Sequence, residues 1–203
     1  MPAFNVKVDQ DQLEKAKRIF SGFPDLQNKV HYRALNQTMT GVRTDMVSAS
    51  EKVLTVEDKS HMKDAITIKK ASLNSPSANV KGMGKPIKLG YYIVQQVAQG
   101  VMVKVMWGNP MKLIKHAFIA TVRGTNHKGV FWRKKQDVVK AYKPGFPYGV
   151  LPKKYRFPIE EIYGPSVPDA LKGPGVLDGV IDKAEVRLHD VYDKVLDDEM
   201  RKF

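Results

Sequence analysis

Between Leu26 and Val53, apolar residues return on a helical period. Leu26 and Val30 open the stripe. Leu35, Met39, Val42, Met46, Ala49 and Val53 continue it at spacings of 4, 3, 4, 3 and 4. Such steps keep one face of a 3.6-residue helix apolar, so the pattern predicts a long helix over residues 25–53. Gly41 lies inside it, at a cost of about 1 kcal/mol relative to Ala. A helix of this length must bury its stripe, either on its own sheet or across a subunit boundary. Packing on its own sheet is the simpler arrangement.

A second stripe near the end of the chain repeats the rhythm. Leu177, Ile181, Ala184, Leu188, Val191 and Val195 are again spaced 4, 3, 4, 3 and 4, which predicts a helix over residues 176–200. Its other faces carry most of the acids of that region. Three shorter helices are expected. One covers residues 9–20, with Asp9 as N-cap and Leu13, Ala16, Ile19 and Phe20 on one face. Another covers residues 55–65, where Thr55 and Asp58 read as a capping-box variant. A third follows Ser166, with Pro168 in its first turn.

The period changes between the two stripes. Ile66-Thr67-Ile68-Lys69-Lys70-Ala71, residues 78–81, residues 88–97 and Val101-Met102-Val103-Lys104-Val105-Met106-Trp107 are strand candidates. A hairpin follows over residues 117–135, its arms rich in β-branched and aromatic residues around Gly124-Thr125-Asn126-His127-Lys128-Gly129. Its apolar residues Phe118, Ala120, Val122, Val130 and Trp132 are expected in the core or at a subunit seam. Residues 141–157, with Pro144, Gly145, Pro147, Gly149 and Pro152, exclude regular helix and central strand. The expected class is α+β: N-terminal helices with one long helix, an antiparallel sheet over residues 66–135 and an acidic C-terminal helix. Three regions, 1–65, 66–157 and 158–203, are read as one structural unit.

Charge divides the same way. Residues 1–65 hold 10 Lys+Arg and 9 Asp+Glu, and residues 66–156 hold 18 against the single acid Asp137. Residues 157–203 hold 6 against 11. A basic middle and an acidic end fit contact with nucleic acid, or head-to-tail contact with a neighbouring copy in a ring or filament. The chain has no cysteine, which excludes disulfides, thiolate metal sites and cysteine nucleophiles. No run approaches the roughly 20 apolar residues of a membrane helix, and the first residues do not resemble a signal peptide. A soluble protein made in the cytoplasm, without membrane partners, is expected.

No catalytic constellation emerges. His31, His61, His116, His127 and His189 do not pair at metal-ligand spacing, so neither a metal nor another cofactor is expected. His127 is read as a solvated loop histidine, with phosphate contact as the alternative. Gly82-Met83-Gly84-Lys85-Pro86 lacks the spacing and the following helix of a phosphate loop. Glu160 and Glu161 are adjacent in sequence and need not converge, and capping accounts for Ser166. Met39, Met46, Met102 and Met106 lie on apolar stripes and are read as core.

One constellation stands above background, a cationic one with aromatics interleaved. Its candidate contacts for a partner or DNA are Lys112, Lys115, Arg123, His127, Lys128, Arg133, Lys134 and Lys135. His116, Lys140, Lys143, Lys153, Lys154 and Arg156 extend it, with Phe131, Trp132, Tyr142, Phe146, Tyr148 and Tyr155 between them. On DNA these groups would contact mainly phosphate. On protein, Arg and aromatics would anchor an interface.

Several segments, in order, resemble the prophage minor tail protein Z family, which includes the tail completion protein of lambda-like phages. They are Ala34-Leu35-Asn36-Gln37-Thr38-Met39-Thr40-Gly41-Val42-Arg43-Thr44, Ile66-Thr67-Ile68-Lys69-Lys70-Ala71-Ser72, Gly84-Lys85-Pro86-Ile87 and Ala117-Phe118-Ile119-Ala120. His127-Lys128-Gly129-Val130-Phe131-Trp132-Arg133 and Pro158-Ile159-Glu160-Glu161-Ile162-Tyr163-Gly164-Pro165-Ser166-Val167-Pro168 complete the set. The last two are the most specific. The resemblance implies a virion structural protein, not an enzyme, acting late in tail assembly at the head–tail joint. Its implied partners are other tail and head-connector proteins, copies of itself in a homo-oligomeric ring, and genomic DNA in the lumen. The rival expectation is a basic module gripping duplex DNA non-specifically.

Overall fold

The computed structural model describes residues 3–5, 10–11, 14, 18, 24–122, 124, 127–133 and 159–202. The chain forms two compact units that interleave in sequence. The first comprises Met1–Lys52, Lys59–Lys85 and Ser166–Phe203; the second comprises Val53–Asp58 and Pro86–Pro165.

The first unit is built on the long helix α1, Pro24–Val53. Its other elements are β1 (Ala3–Asn5), α2 (Ser60–Ala65), β2 (Ile66–Lys69), β3 (Asn79–Gly82), α3 (Val167–Leu171) and α4 (Asp178–Met200). The stripe on α1 is buried as expected through Val30, Leu35, Met39, Val42 and Met46. The covered surface is wider than that stripe, because Ala34, Thr38, Val47 and Ser50 are buried too. Two sides of the helix are in use. One packs antiparallel to α4, where Val30 and Ala34 meet Tyr192, Val195 and Leu196. The other is tied to the strand region. The Asn36 amide donates to the Ala71 carbonyl at 3.0 Å and accepts the Ala71 N–H at 2.8 Å. Arg43 donates to the carbonyls of Ile66 and Lys63, both at 2.8 Å, closing the end of α2. β3 lies between β1 and β2, both antiparallel to it.

Gly41 gains its reason here. A Cβ at that position would lie 2.5 Å from Nη1 of Arg187, whose guanidinium crosses α1 to donate to Asp45 at 2.5 Å. At the start of α3, Asp169 accepts both the Ser166 N–H at 3.0 Å and the Ser166 hydroxyl at 2.6 Å. Those two bonds hold the Asp169 carboxyl below the usual carboxylate range, the hydroxyl's bond counting most. Ser166 caps the helix as the sequence indicates.

Among its described residues, the second unit holds two three-stranded antiparallel sheets. One has the order β4 (Ile93–Val97), β5 (Gly100–Lys104), β6 (Lys112–Lys115); the other has the order β7 (Phe118–Thr121), β8 (Lys128–Arg133), β9 (Ile159–Glu161). The α+β class with antiparallel pairing therefore stands, with the strands divided among three small sheets. The divisions have local causes. Pro86 and the 3₁₀ turn Leu89–Tyr91 separate β3 from β4. His116, at φ 61°, turns the chain between β6 and β7. Imidazole side chains tolerate this left-handed conformation better than branched ones.

The expected helix over residues 55–65 is shorter, since only Ser60–Ala65 is helical. Thr55 is not its cap. Its N–H donates to the Val105 carbonyl at 3.0 Å and its hydroxyl donates to the Lys104 carbonyl. Leu54 and Val56 are buried, so this stretch binds more strongly as a strap along residues 104–107, just past β5, than as a helical turn. Of the helix expected over residues 9–20, Gln10, Asp11, Glu14 and Arg18 are helical and the rest lies outside the described residues. Residues 141–157 also lie outside them.

Candidate interface of the second unit

Three segments that the sequence singles out meet beside β8. The register of β8 and β9 places Phe131 opposite Glu161 and Arg133 opposite Ile159. Ile162 continues the ladder by donating to the Val130 carbonyl at 2.9 Å, and Leu89 donates to Ile162 at 2.9 Å. Gly164 donates to Ile87 at 2.7 Å. The Tyr163-Gly164-Pro165 run acquires a steric reason at this point. Tyr92 is buried, and its hydroxyl donates to the Pro165 carbonyl at 2.7 Å. A Cβ on Gly164 would lie 2.7 Å from the Tyr92 ring.

On this frame sits a charged cluster. Glu161 Oε1 lies 2.5 Å from Nε2 of His127, and Oε2 lies 3.0 Å from the Lys88 ammonium. Lys88 Nζ is 3.2 Å from the same imidazole nitrogen, and the Tyr91 ring lies 5.9 Å away, centre to centre. The short contact to a carboxylate requires Nε2–H to donate, so the ammonium directs its charge to the other carboxylate oxygen. The hydrogen bond to Glu161 raises the Lys88 pKa above the usual lysine range, against the opposing effect of burial. Both carboxylate oxygens are engaged. The arrangement is a clasp between segments.

This corrects the reading of His127 as a solvated loop residue. Its side chain is 20% exposed and held by Glu161. The signal that could have found the clasp was the recurrence of opposite charges on segments with strand character, but sequence spacing alone does not reveal register.

The other candidate contacts fall in different places. Lys112 and Lys115 are exposed at the two ends of β6, and Lys128 is exposed at the start of β8. Arg133 ends β8. Arg123, Lys134 and Lys135 lie outside the described residues, as do Lys140, Lys143, Lys153, Lys154 and Arg156. Of the hairpin residues expected in the core, Val130 is fully buried, and Phe118 and Ala120 are half-buried. Val122 and Trp132 are not core residues, at 41% and 45% exposure.

An open cleft of about 490 Å³ lies between the β4–β5 and β6–β7 turns, lined by Gln96, Gln99, Lys115 and His116 among others. Its lining mixes polar and apolar groups in equal measure and it stands open, unlike the mostly apolar, enclosed sites that take small molecules. The His116 N–H donates to the Gln99 carbonyl at 3.0 Å, locking the two turns together. Among the described residues, no group of three His, Asp or Glu side chains is placed to hold a metal ion. No helix among them is long and apolar enough to cross a membrane. No family model, curated protein or solved structure matches the chain.

Proposed function

We propose that the protein is a phage virion component, a tail completion or neck protein. In this reading it oligomerises at the head-proximal end of the tail and supports head–tail joining and DNA positioning. The observation that carries the reading is the convergence of the segments bearing the resemblance. Gly84-Lys85-Pro86-Ile87, His127-Lys128-Gly129-Val130-Phe131 and Glu160-Glu161-Ile162-Tyr163-Gly164-Pro165 are scattered over some eighty positions of sequence. Ile87, His127, Val130, Glu161, Ile162 and Gly164 nevertheless hydrogen-bond with one another on one frame. Segments that build one frame are what a shared scaffold would consist of. The chemistry also fits an assembly role: the charged cluster is self-satisfied, and the exposed groups are lysines and aromatics suited to partner contact.

Electron microscopy of purified particles carrying labelled protein tests this reading. Label at the head-proximal end of the tail is expected. Normal, infectious virions from a strain lacking the gene would refute it. A second reading rests on the charge of the second unit, which holds 14 Lys+Arg against 5 Asp+Glu. As a duplex-DNA module it would bind DNA as an isolated monomer, with affinity falling steeply and linearly in log–log terms as salt rises.

A further inference from the structure

The β4–β5–β6 sheet has two unlike faces. On one, Val101 and Val103 are closed off at 0% and 3% exposure. On the other, Ile93, Val97, Met102 and Leu113 are half-buried, and none is closed over. The register puts Lys104 opposite Ile93 and Lys115 opposite Gly100, so both lysines stand on this open face. Trp107, 52% exposed, borders it, with the Lys104 ammonium 5.5 Å from its ring centre. No acid stands on this face of the three strands. It is a cationic surface with an apolar, aromatic floor.

The outward side of α4 has the complementary character. Asp182, Glu185 and Asp190 are exposed there and Asp193 is half-buried, outnumbering the exposed Lys183 and Lys194. Among them is Val186, at 65% the most exposed of the large hydrophobic residues described. We propose that the open face of β4–β5–β6 seats the outward acidic face of α4 from a second copy of the chain. The inference deepens the assembly reading above and rests on it for the idea that copies meet.

Charge complementarity selects this occupant, and dimensions agree. Five residues of β5 span roughly 17 Å at about 3.3 Å each, and three strands span roughly 14 Å. The α4 stretch from Asp182 to Asp193 spans roughly 17 Å at 1.5 Å per residue, on a helix about 10 Å wide. A footprint of that size falls below the roughly 1,000 Å² of a stable pairwise interface. Single contacts are therefore weak, and closure of a ring, where every copy gives one face and receives the other, supplies the cumulative strength.

The cysteine-free chain makes the test clean. Gln95 is exposed on the proposed sheet face and Val186 is central on the helix face. A Gln95→Cys chain is mixed with a Val186→Cys chain and treated with a short bismaleimide, which traps weak contacts. A cross-linked dimer is expected in the mixture and not in either variant alone, with circular dichroism confirming that both are folded. Adding Lys104→Glu and Lys115→Glu to the first chain should reduce the band about tenfold or more. Glu185→Lys and Asp190→Lys in the second should restore it. No band from folded chains, or a band indifferent to charge reversal, overturns the proposal. So does duplex DNA that blocks labelling of the Gln95→Cys chain while no cross-link forms. The result is independent of particle microscopy. Cross-linking by a protein absent from tails leaves this contact standing and removes the tail assignment; a tail-located protein that does not cross-link does the reverse.

Discussion

Glu199 is the residue whose chemistry is most exposed to test. It is 1% exposed, and Lys29, Arg33 and Lys202 surround its carboxylate. The Lys202 hydrogen bond, with help from Lys29, holds its pKa below the usual carboxylate range in spite of burial. A carboxylate with a depressed folded pKa adds stability that is fully present above its unfolded value and is lost as pH falls through the folded one. Glu199→Gln should therefore destabilise the protein at neutral pH by roughly 1–3 kcal/mol. It should also flatten the loss of stability below about pH 4.5, measured by denaturant melts across pH. Gly41 offers a second test. Ala there gains about 1 kcal/mol of helix propensity but drives Arg187 from Asp45. Gly41→Ala should be neutral or destabilising in the native chain and stabilising by about 1 kcal/mol in an Arg187→Ala background, a coupling that a double-mutant cycle reads directly. Neither residue announces its role in sequence. A glutamate in an acidic helix reads as solvated, and a glycine in a helix reads as a tolerated defect. Both readings change only when α4 is laid antiparallel on α1, which no local pattern specifies.

Elements were legible in proportion to their length and to the purity of their period. α1 and α4 follow from their 4-3 rhythm, and the short α3 follows from Ser166 and Pro168. The packed phase of α4 differs from the apolar stripe, because Tyr192 and Glu199 are buried on it through their hydrogen-bond partners and polarity scales treat both as surface residues. Burial raises the Tyr192 phenol's pKa above its ordinary value, keeping it neutral as it bonds to His31 at 2.8 Å. The short strands β1, β6 and β9, of three or four residues, offer too little alternation to stand out from loops. Thr55 went to a strap because pairing along residues 104–107 was worth more than a cap. Two changes probe the joints between elements. Ser166→Ala should cost about 1 kcal/mol through loss of the α3 cap, with normal packing elsewhere. Gly164→Ala should cost more, roughly 1–3 kcal/mol, because its methyl meets the buried Tyr92 ring. Thermal unfolding of the two variants side by side checks the order, and Tyr92→Leu should partly relieve the second change.

For the whole molecule, the charge partition read from sequence reappears in a different division. The second unit is net +9, from 14 Lys+Arg against 5 Asp+Glu, and the exposed acids of α4 belong to the first. The boundaries of the units were not legible, because the chain passes between them four times, at residues 52–53, 58–59, 85–86 and 165–166. The two ends of the chain are both stitched into the first unit: β1 pairs with β3, and α4 covers α1. This topology sets an order on the ribosome. The stretch 86–165 can emerge complete while the apolar side of α1 still waits for α4, which starts 125 residues after α1 ends (178 − 53). At about 5–20 residues per second, that wait lasts several seconds or more. A nascent chain thus carries the unpaired apolar side of α1 throughout that interval, a surface of the kind that holding chaperones bind. A chain truncated before Asp178 should accumulate as an aggregate, however well its second unit folds, and ribosome profiling of chaperone-bound nascent chains should show occupancy rising once α1 leaves the exit tunnel and falling once α4 has followed it.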